Sequence, residues 1–393
     1  MHPFAFAKPP QRLIGDWNRA GAIGIVAPSY GTEKISYGVG PPGYTFHKVT
    51  RLPLHRLERE NTFWLNTPIV LDYPVELVHT FNELPIGIRP FVLSFEMELP
   101  RYLGKPSAWQ LDLGFNILES NRCRRILALS DAAAGHLRGQ LVPRGLEGLM
   151  KKVKVFRGTV LTPPKTSQPD RANPRERPLK LLFVGRDAFR KGLIPTLDAL
   201  DDCIENSLKF EATIVCDFDP HSYTNKKFSI DAEALIQRVK RMPGVTWYKR
   251  LSNQEIHGLM LSHDLLLFPT LDESLGWVAV EAALAGMPVI ATDIFAIPEI
   301  VCDGVTGFLV PIKKDKSLRW VGLWKEGLEL DNEIRATFES IRQHVGNAVQ
   351  RFADDPELVV SMGQAARAHA NSLYGISHIQ NELANIYSTA LKC

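Results

Sequence analysis

The chain has little of what marks an exported or membrane-spanning protein. Its apolar runs are short, Leu265 to Phe268 among the longer ones. A spanning helix needs roughly 20 consecutive apolar residues, so none is expected. Cysteine is scarce: the five residues Cys123, Cys203, Cys216, Cys302 and Cys393 are odd in number and widely scattered. That usage suits reduced thiols in a cytosol better than a disulfide framework or a metal knuckle, and Cys393 is not followed by a prenylation motif. The opening MHPFAFAKPPQR places proline where a secretion signal would need a continuous apolar stretch, so an unexported, cytoplasmic chain is expected. There is no low-complexity tract and no internal repeat, which argues against disordered and solenoid architectures. Nor is there a recognition motif or aromatic-interleaved basic run, so nucleic acid is not an expected partner.

What is present is an ordinary globular composition over 393 residues, 45% hydrophobic and 23% charged. That length exceeds what one core usually serves, so two domains with a cleft between them are expected. The net charge of +3 is unevenly spread: residues 1–165 hold 21 Lys and Arg against 13 Asp and Glu. Clusters such as Arg122, Arg124, Arg125 and Lys151, Lys152, Lys154 could meet anionic headgroups, giving a peripheral membrane contact, or a phosphorylated acceptor. The same cations would equally sit on a solvated surface.

The stretch LTPPKTSQPDRANPRERPLK, Leu161 to Lys180, has five prolines and no apolar periodicity. It reads as a linker, with its centre at 166–178. Before it, AIGIVAP, VELVHTF, PFVLSFE, RILALS and KVFRG are short apolar segments separated by enough chain for helices, the pattern of a parallel α/β domain. After it the alternation is cleaner: LKLLFVG, a helix from Leu193, FEATIVCDF, a helix near Ala232 to Lys240, VTWYKR, LLLFPT, a helix from Leu275, and PVIATD. Helices are expected over 354–371 and in HIQNELANIYSTAL. The Lys- and Trp-containing segment 312–335 has no role legible from its residues.

Two constellations carry chemistry. In LFVGRDAFRKG a strand runs into the turn at Gly185 and Arg186, with Lys191 five positions on and Gly192 after it. Exposed backbone amides, a positive helix end and two cations suit a diphosphate, although a surface turn can carry charges incidentally. In LLLFPTLDESLGWVAVEAALAGMPVIATD, Glu273 and Glu281 stand eight positions apart around Ser274, Leu275, Gly276 and Trp277. Eight positions is slightly over two helical turns, so both carboxylates can project to one side and accept hydrogen bonds from vicinal hydroxyls. Glutamates at this spacing are also common on ordinary helices. Gly276 permits close approach of a ligand to the backbone. The triplet Asp217-Phe218-Asp219 follows a strand and reads as turn residues, so no metal site is assigned.

Together these stretches, with VTWYKRLSNQEI, IPEIVCDGVTGFLVP and DDPELVVSMGQAARAHA in the same order, resemble the C-terminal domain of glycosyltransferase family 4, retaining enzymes of the GT-B fold. The resemblance implies two Rossmann-like domains facing across a cleft: an acceptor domain over 1–165, a nucleotide-sugar donor domain over 179–375, and a C-terminal helix over 376–393 packing back on the first domain. It implies that Arg186 and Lys191 bind the donor diphosphate, that Glu273 holds hydroxyls of the transferred sugar, and that Glu281 holds the ribose. Gly185 belongs to the same turn. Backbone at Ser274, Leu275, Gly276 and Trp277 would add N–H donors, and the strand end at Lys249 to Leu251, with Arg250, would border the base. No cofactor or bound metal is implied beyond the nucleotide-sugar donor substrate.

The N-terminal half is similar to the family only in patches. Many relatives have a histidine after the strand equivalent to PFVLSF, and this chain has Glu96 there, a candidate for positioning the acceptor or stabilising charge at the reacting carbon. His79 is a second acceptor-side candidate, or a buried histidine satisfied by backbone. Gly38 and Gly40, in YGVGPPGY, would let a loop approach phosphate or acceptor, or simply turn. The expected reaction is hexose transfer with retention, to a glycan acceptor that a lipid could carry, in polysaccharide or glycolipid assembly. A non-catalytic sugar-nucleotide-binding relative and a GT-B-shaped epimerase or phosphorylase are the alternatives.

Overall fold

The computed structural model describes residues 21–160, 177–218 and 231–392. The opening segment, most of the proline-rich linker, Asp219 and Cys393 lie outside the described residues. The chain divides into two compact units, one formed by Met1–Leu161 with Leu373–Cys393 and the other by Thr162–Ser372.

The first unit is built on six parallel strands: β1 (Ala22–Ile25), β2 (Thr45–Lys48), β3 (Leu77–Phe81), β4 (Phe91–Phe95), β5 (Cys123–Ala128) and β6 (Val153–Val155). Their order is β2-β1-β3-β4-β5-β6. The strand residues of β3 and β4 are buried almost throughout, as expected of a parallel sheet covered on both faces. Helices α1 (Tyr30–Ile35), α2 (Phe63–Asn66), α3 (Ala108–Glu119) and α4 (Asp131–Leu141) connect them. Serine caps begin three of the connections: Ser29 and Ser130 accept from the third amide of α1 and α4, and Ser107 closes a capping box with Gln110 on α3.

The second unit is another sheet of six parallel strands: β7 (Leu179–Val184), β8 (Phe210–Val215), β9 (Val245–Tyr248), β10 (Leu265–Phe268), β11 (Val289–Thr292) and β12 (Gly307–Val310). The order β12-β11-β10-β7-β8-β9 is the doubly wound one, with the strand order reversing between β7 and β10. Around it lie α5 (Leu193–Glu205), α6 (Ala232–Arg241), α7 (Asn253–Ser262), α8 (Trp277–Leu284), α9 (Ile297–Ile300) and the long α10 (Gly327–Asp354). The expected helix from Leu275 opens two residues later, because Leu275 is buried and Gly276 takes a left-handed φ of 91° as its N-cap. α11 (Glu357–Tyr374) carries the chain out of this unit, and α12 (Ile376–Lys392) belongs to the first.

α12 is fastened to the first sheet by polar as well as apolar contacts. Tyr387 is fully buried, its ring 5.1 Å from that of Tyr44, and its hydroxyl lies 2.8 Å from His79 Nδ1. Gln380 donates to the Val39 carbonyl at 2.9 Å. Among the described residues no helix is long and apolar enough to cross a membrane.

Several of the basic clusters are engaged within the first unit. Lys152 Nζ donates to the carbonyls of Leu118, Glu119 and Ser120 at the end of α3, where a cation complements the helix dipole. Lys154 pairs with Glu382 of α12 at 2.9 Å. Arg122 donates to two loop carbonyls and covers the Phe91 ring. Arg122, Lys152 and Lys154 are thus tied into the unit by these contacts.

Candidate functional site

In a doubly wound sheet the loops leaving two adjacent strands diverge at the switch point, opening a crevice at their carboxyl ends. Here those loops follow β7 and β10, and they contain the two constellations. They are laced together. The Leu271 amide donates to the Arg190 carbonyl at 2.7 Å, and Arg190 Nη1 donates to the Asp272 carbonyl at 2.8 Å. Gly192 sits where only glycine fits: its φ is 71°, and a Cβ would stand 2.0 Å from the Pro269 carbonyl oxygen.

This lacing sets Lys191 and Glu273 against each other as an ion pair. Both side chains are largely buried, at 11% and 16% accessible, and Lys191 Nζ also lies 4.9 Å from the centre of the Phe268 ring. Burial pulls the ammonium below its usual range, with Arg190 adding to the effect and Glu273 opposing it. Burial alone would raise the Glu273 carboxyl, but Lys191, Arg190 and the Ser274 amide hold it below the ordinary carboxylate range. The carboxylate is thus kept ionised as an acceptor.

Arg186, in the turn after Gly185, is 69% accessible and donates from Nε to Asp217 Oδ2 at 3.2 Å. Arg250, after β9, is 70% accessible and reaches the same oxygen through Nη2 at 3.1 Å. Two exposed guanidinium groups therefore share one buried carboxylate oxygen, which holds both without covering them. Arg250 is placed beside Arg186, where both can meet an anion.

α8 starts behind Gly276 with no side-chain cap hydrogen bond among the described residues, and its positive end faces the switch-point loops. Leu275 is 1% exposed, so its side chain fills the core and only its backbone can meet a ligand. Ser274 and Trp277 flank it at intermediate exposure. Glu281, two turns into α8, is buried, with its Oε2 3.9 Å from His257 Nε2 on α7.

Several residues of this neighbourhood escaped the reading of the sequence. Asp217 reads in the sequence as a turn residue, and its place just after β8, the strand beside β7, is the signal that puts it near the switch point. His257 lies on a different helix from its partner and had none. Arg319, from the segment without a legible role, pairs with Asp272 at 2.9 Å, one residue before Glu273.

In the first unit, Glu96 stands one residue past β4, its carboxylate paired with Arg101 and its amide accepted by Asn82 Oδ1 at 3.3 Å. Glu83, after β3, pairs with Arg51 at 3.0 Å, and burial, against the pull of Arg51, pushes its carboxyl up to about 7. His79 lies in the interior of the first unit. It is 1% exposed, with Nδ1 on Tyr387 and Nε2 on Ser94 Oγ, both at 2.8 Å. Burial lowers its pKa to about 3, so it is a neutral tie between β3, β4 and α12. The Gly38 and Gly40 amides donate to the Glu33 and Ser36 carbonyls, closing the end of α1, and a Cβ on Gly38 would meet the Glu33 carbonyl oxygen at 2.4 Å. A hollow of about 450 Å³ bounded by Lys180, Glu211, Thr213, Thr246 and His263 lies at the amino ends of β7, β8 and β9, away from the switch point.

Two sheets of six parallel strands, the second with a cationic site at its switch point, define a two-domain GT-B protein. Anabaena HepE, solved in complex with UDP and glucose, superposes with a TM-score of 0.60 over 94% of this chain and 100% of that one, at 18% identity. Residues 164–321 match the family model of glycosyl transferases group 1. A D-inositol 3-phosphate glycosyltransferase of Streptomyces griseus is 37% identical over 127 residues, 32% of this chain and 21% of that protein. An uncharacterised 41.2 kDa protein in the cps region of Klebsiella pneumoniae is 33% identical over 132 residues, 34% of this chain and 32% of that one. The chain thus aligns with a third or less of the length of these curated relatives.

Proposed function

We propose that the chain transfers a hexose from a nucleoside-diphosphate sugar to an acceptor hydroxyl, with retention of anomeric configuration, in polysaccharide or glycolipid assembly. The observation that carries this reading is the buried Lys191–Glu273 pair at the switch point, flanked by the exposed Arg186 and the start of α8. The family match and the UDP and glucose bound to HepE support it.

In this reading Arg186 and Lys191 take the diphosphate, joined by amides at Ser274 to Trp277, while Glu273 accepts from hydroxyls of the sugar and Glu281 from the ribose. The acceptor hydroxyl approaches the face that the leaving group vacates. The acceptor oxygen–anomeric carbon bond forms as the carbon–phosphate oxygen bond breaks, and the acceptor proton passes to a phosphate oxygen. No protein nucleophile, metal or cofactor is assigned: the cations and the helix end stabilise the departing charge. Glu96 is assigned to the acceptor side. The setting we infer is the cytoplasm, where the thiols of Cys123, Cys203, Cys216 and Cys302 remain free.

The test is thermal stability with UDP-, GDP-, ADP- and dTDP-sugars on wild type and Glu281→Ala. A ligand at 100 times its Kd stabilises by about 2.7 kcal/mol. One nucleotide stabilising only the wild type supports the donor site and identifies the base. Stabilisation by none would replace the proposal with a relative that has lost donor binding.

A further inference from the structure

The segment 312–335 forms a strap beside the switch point. Lys314 bridges Trp320 in antiparallel fashion, the Phe295 amide donates to the Leu318 carbonyl at 2.8 Å, and Trp320 is buried with Nε1 on Thr337 at 2.9 Å. Midway along it stands Trp324, 61% exposed.

An exposed tryptophan is ordinarily free to turn, but Trp324 is held twice. Its Nε1–H donates to Asp315 Oδ2 at 2.8 Å, and the other oxygen of Asp315 accepts the amides of Ser317 and Arg319 at 2.8 and 3.0 Å. Arg319 lays its guanidinium over the indole, 5.1 Å from the ring centre, and pairs with Asp272 at 2.9 Å. Keeping Arg319 there leaves its Nε buried with no hydrogen-bond partner among the described residues, which opposes folding rather than favouring it. The comparably exposed Trp109 differs, since it packs edge-on against the buried Phe63 ring at 5.1 Å. Trp324 has its one polar group satisfied and one face under a cation, so its accessible surface is apolar, rigid and aromatic. Two contacts, through Arg319 and Asp272, connect it to the loop bearing Glu273.

We propose that Trp324 is a stacking platform for a pyranose ring, a carbohydrate subsite at the margin of the donor site. The C–H face of a pyranose is apolar and flat enough to cover an indole, while its hydroxyls stay in water or reach charged groups at the edge. A pinned ring loses little side-chain entropy on binding. The proposal rests on the glycosyltransferase reading, and the ring belongs to either the acceptor glycan or the donor.

The test uses wild type, Trp324→Ala and Trp324→Phe with methyl glycosides of glucose, galactose, mannose and N-acetylglucosamine and their disaccharides. Binding is followed without nucleotide by tryptophan emission and by saturation-transfer NMR. We expect at least one sugar to bind wild type saturably, at least tenfold more weakly to Trp324→Ala, and with affinity largely restored in Trp324→Phe. UDP and UDP-sugar are titrated in parallel. Loss of oligosaccharide binding with nucleotide-sugar binding intact assigns the ring to the acceptor. Weakened UDP-sugar binding with unchanged UDP binding assigns it to the donor. Equal sugar affinity in wild type and Trp324→Ala, or no sugar bound by wild type, overturns the subsite. Failure of every nucleotide sugar to bind would instead overturn the enzyme assignment, and the two results are read separately.

Discussion

Lys191 and Glu273, on the loops that follow β7 and β10, form a buried ion pair across the point where the strand order of the second sheet reverses. Removing one member of such a pair leaves an uncompensated charge in a desolvated place, which costs more than the pair contributes. Lys191→Met should therefore destabilise by about 3 kcal/mol, read as ΔG of urea unfolding. The double variant with Glu273→Gln should regain part of that stability while turnover stays low. Full recovery of turnover in the double variant would show that the pair is structural alone.

Asp217 holds Arg186 and Arg250 by a single oxygen. Arg186→Ala should lower turnover on the order of 10²-fold, by comparison with removing one preorganised electrostatic contact. Arg250→Ala should raise the KM for the nucleotide sugar and weaken its dependence on salt, because one exposed cation no longer meets the anion. Asp217→Asn should affect both properties at once. Unchanged turnover in both Arg186→Ala and Lys191→Ala would contradict the assigned diphosphate site.

Gly192→Ala places a Cβ 2.0 Å from the Pro269 carbonyl and strains a left-handed φ of 71°. The backbone term alone costs about 1–3 kcal/mol, so the loss of stability should exceed about 2 kcal/mol, with nucleotide binding weakened because the two loops part. Thermal denaturation with and without nucleotide measures both effects.

Two buried groups of the first unit titrate in opposite senses. His79 has its pKa lowered to about 3, so from its ordinary value of 6.5 down to 3 the unfolded chain binds more protons, and stability falls as pH falls. Glu83 has its pKa raised to about 7, so between its ordinary 4.5 and 7 the folded chain binds more protons, and stability falls as pH rises. Between pH 4.5 and 6.5 the two slopes oppose each other. Glu83→Gln should steepen the loss of Tm on acidification across that window, and His79→Gln should make it shallower. Parallel Tm curves for all three proteins would reject these assignments.

Much of the second unit was legible because its functional groups lie within strand–loop–helix units. LFVGRDAFRKG and LLLFPTLDESLGWVAVEAALAG each hold their strand, turn and helix start in one short stretch, so apolar runs and glycines locate the cations and carboxylates directly. The first unit was harder to read. His79 and Glu96 both sit in or just after buried strands, and whether such a side chain meets solvent or a partner depends on what packs over it. For His79 that partner is Tyr387, 308 positions away on α12.

By itself, therefore, the amino-acid sequence determined the two α/β sheets and the Arg186, Lys191 and Glu273 constellation, because apolar periodicity and local turn chemistry act over a few residues. Only the tertiary structure decided that Arg186 and Arg250 share Asp217, that His257 faces Glu281, that Arg319 joins Trp324 to Asp272, and that His79 turns inward. Each of these joins residues from different strands or helices, and strand order and helix docking are set by the cooperative burial of the whole core, which no local window contains.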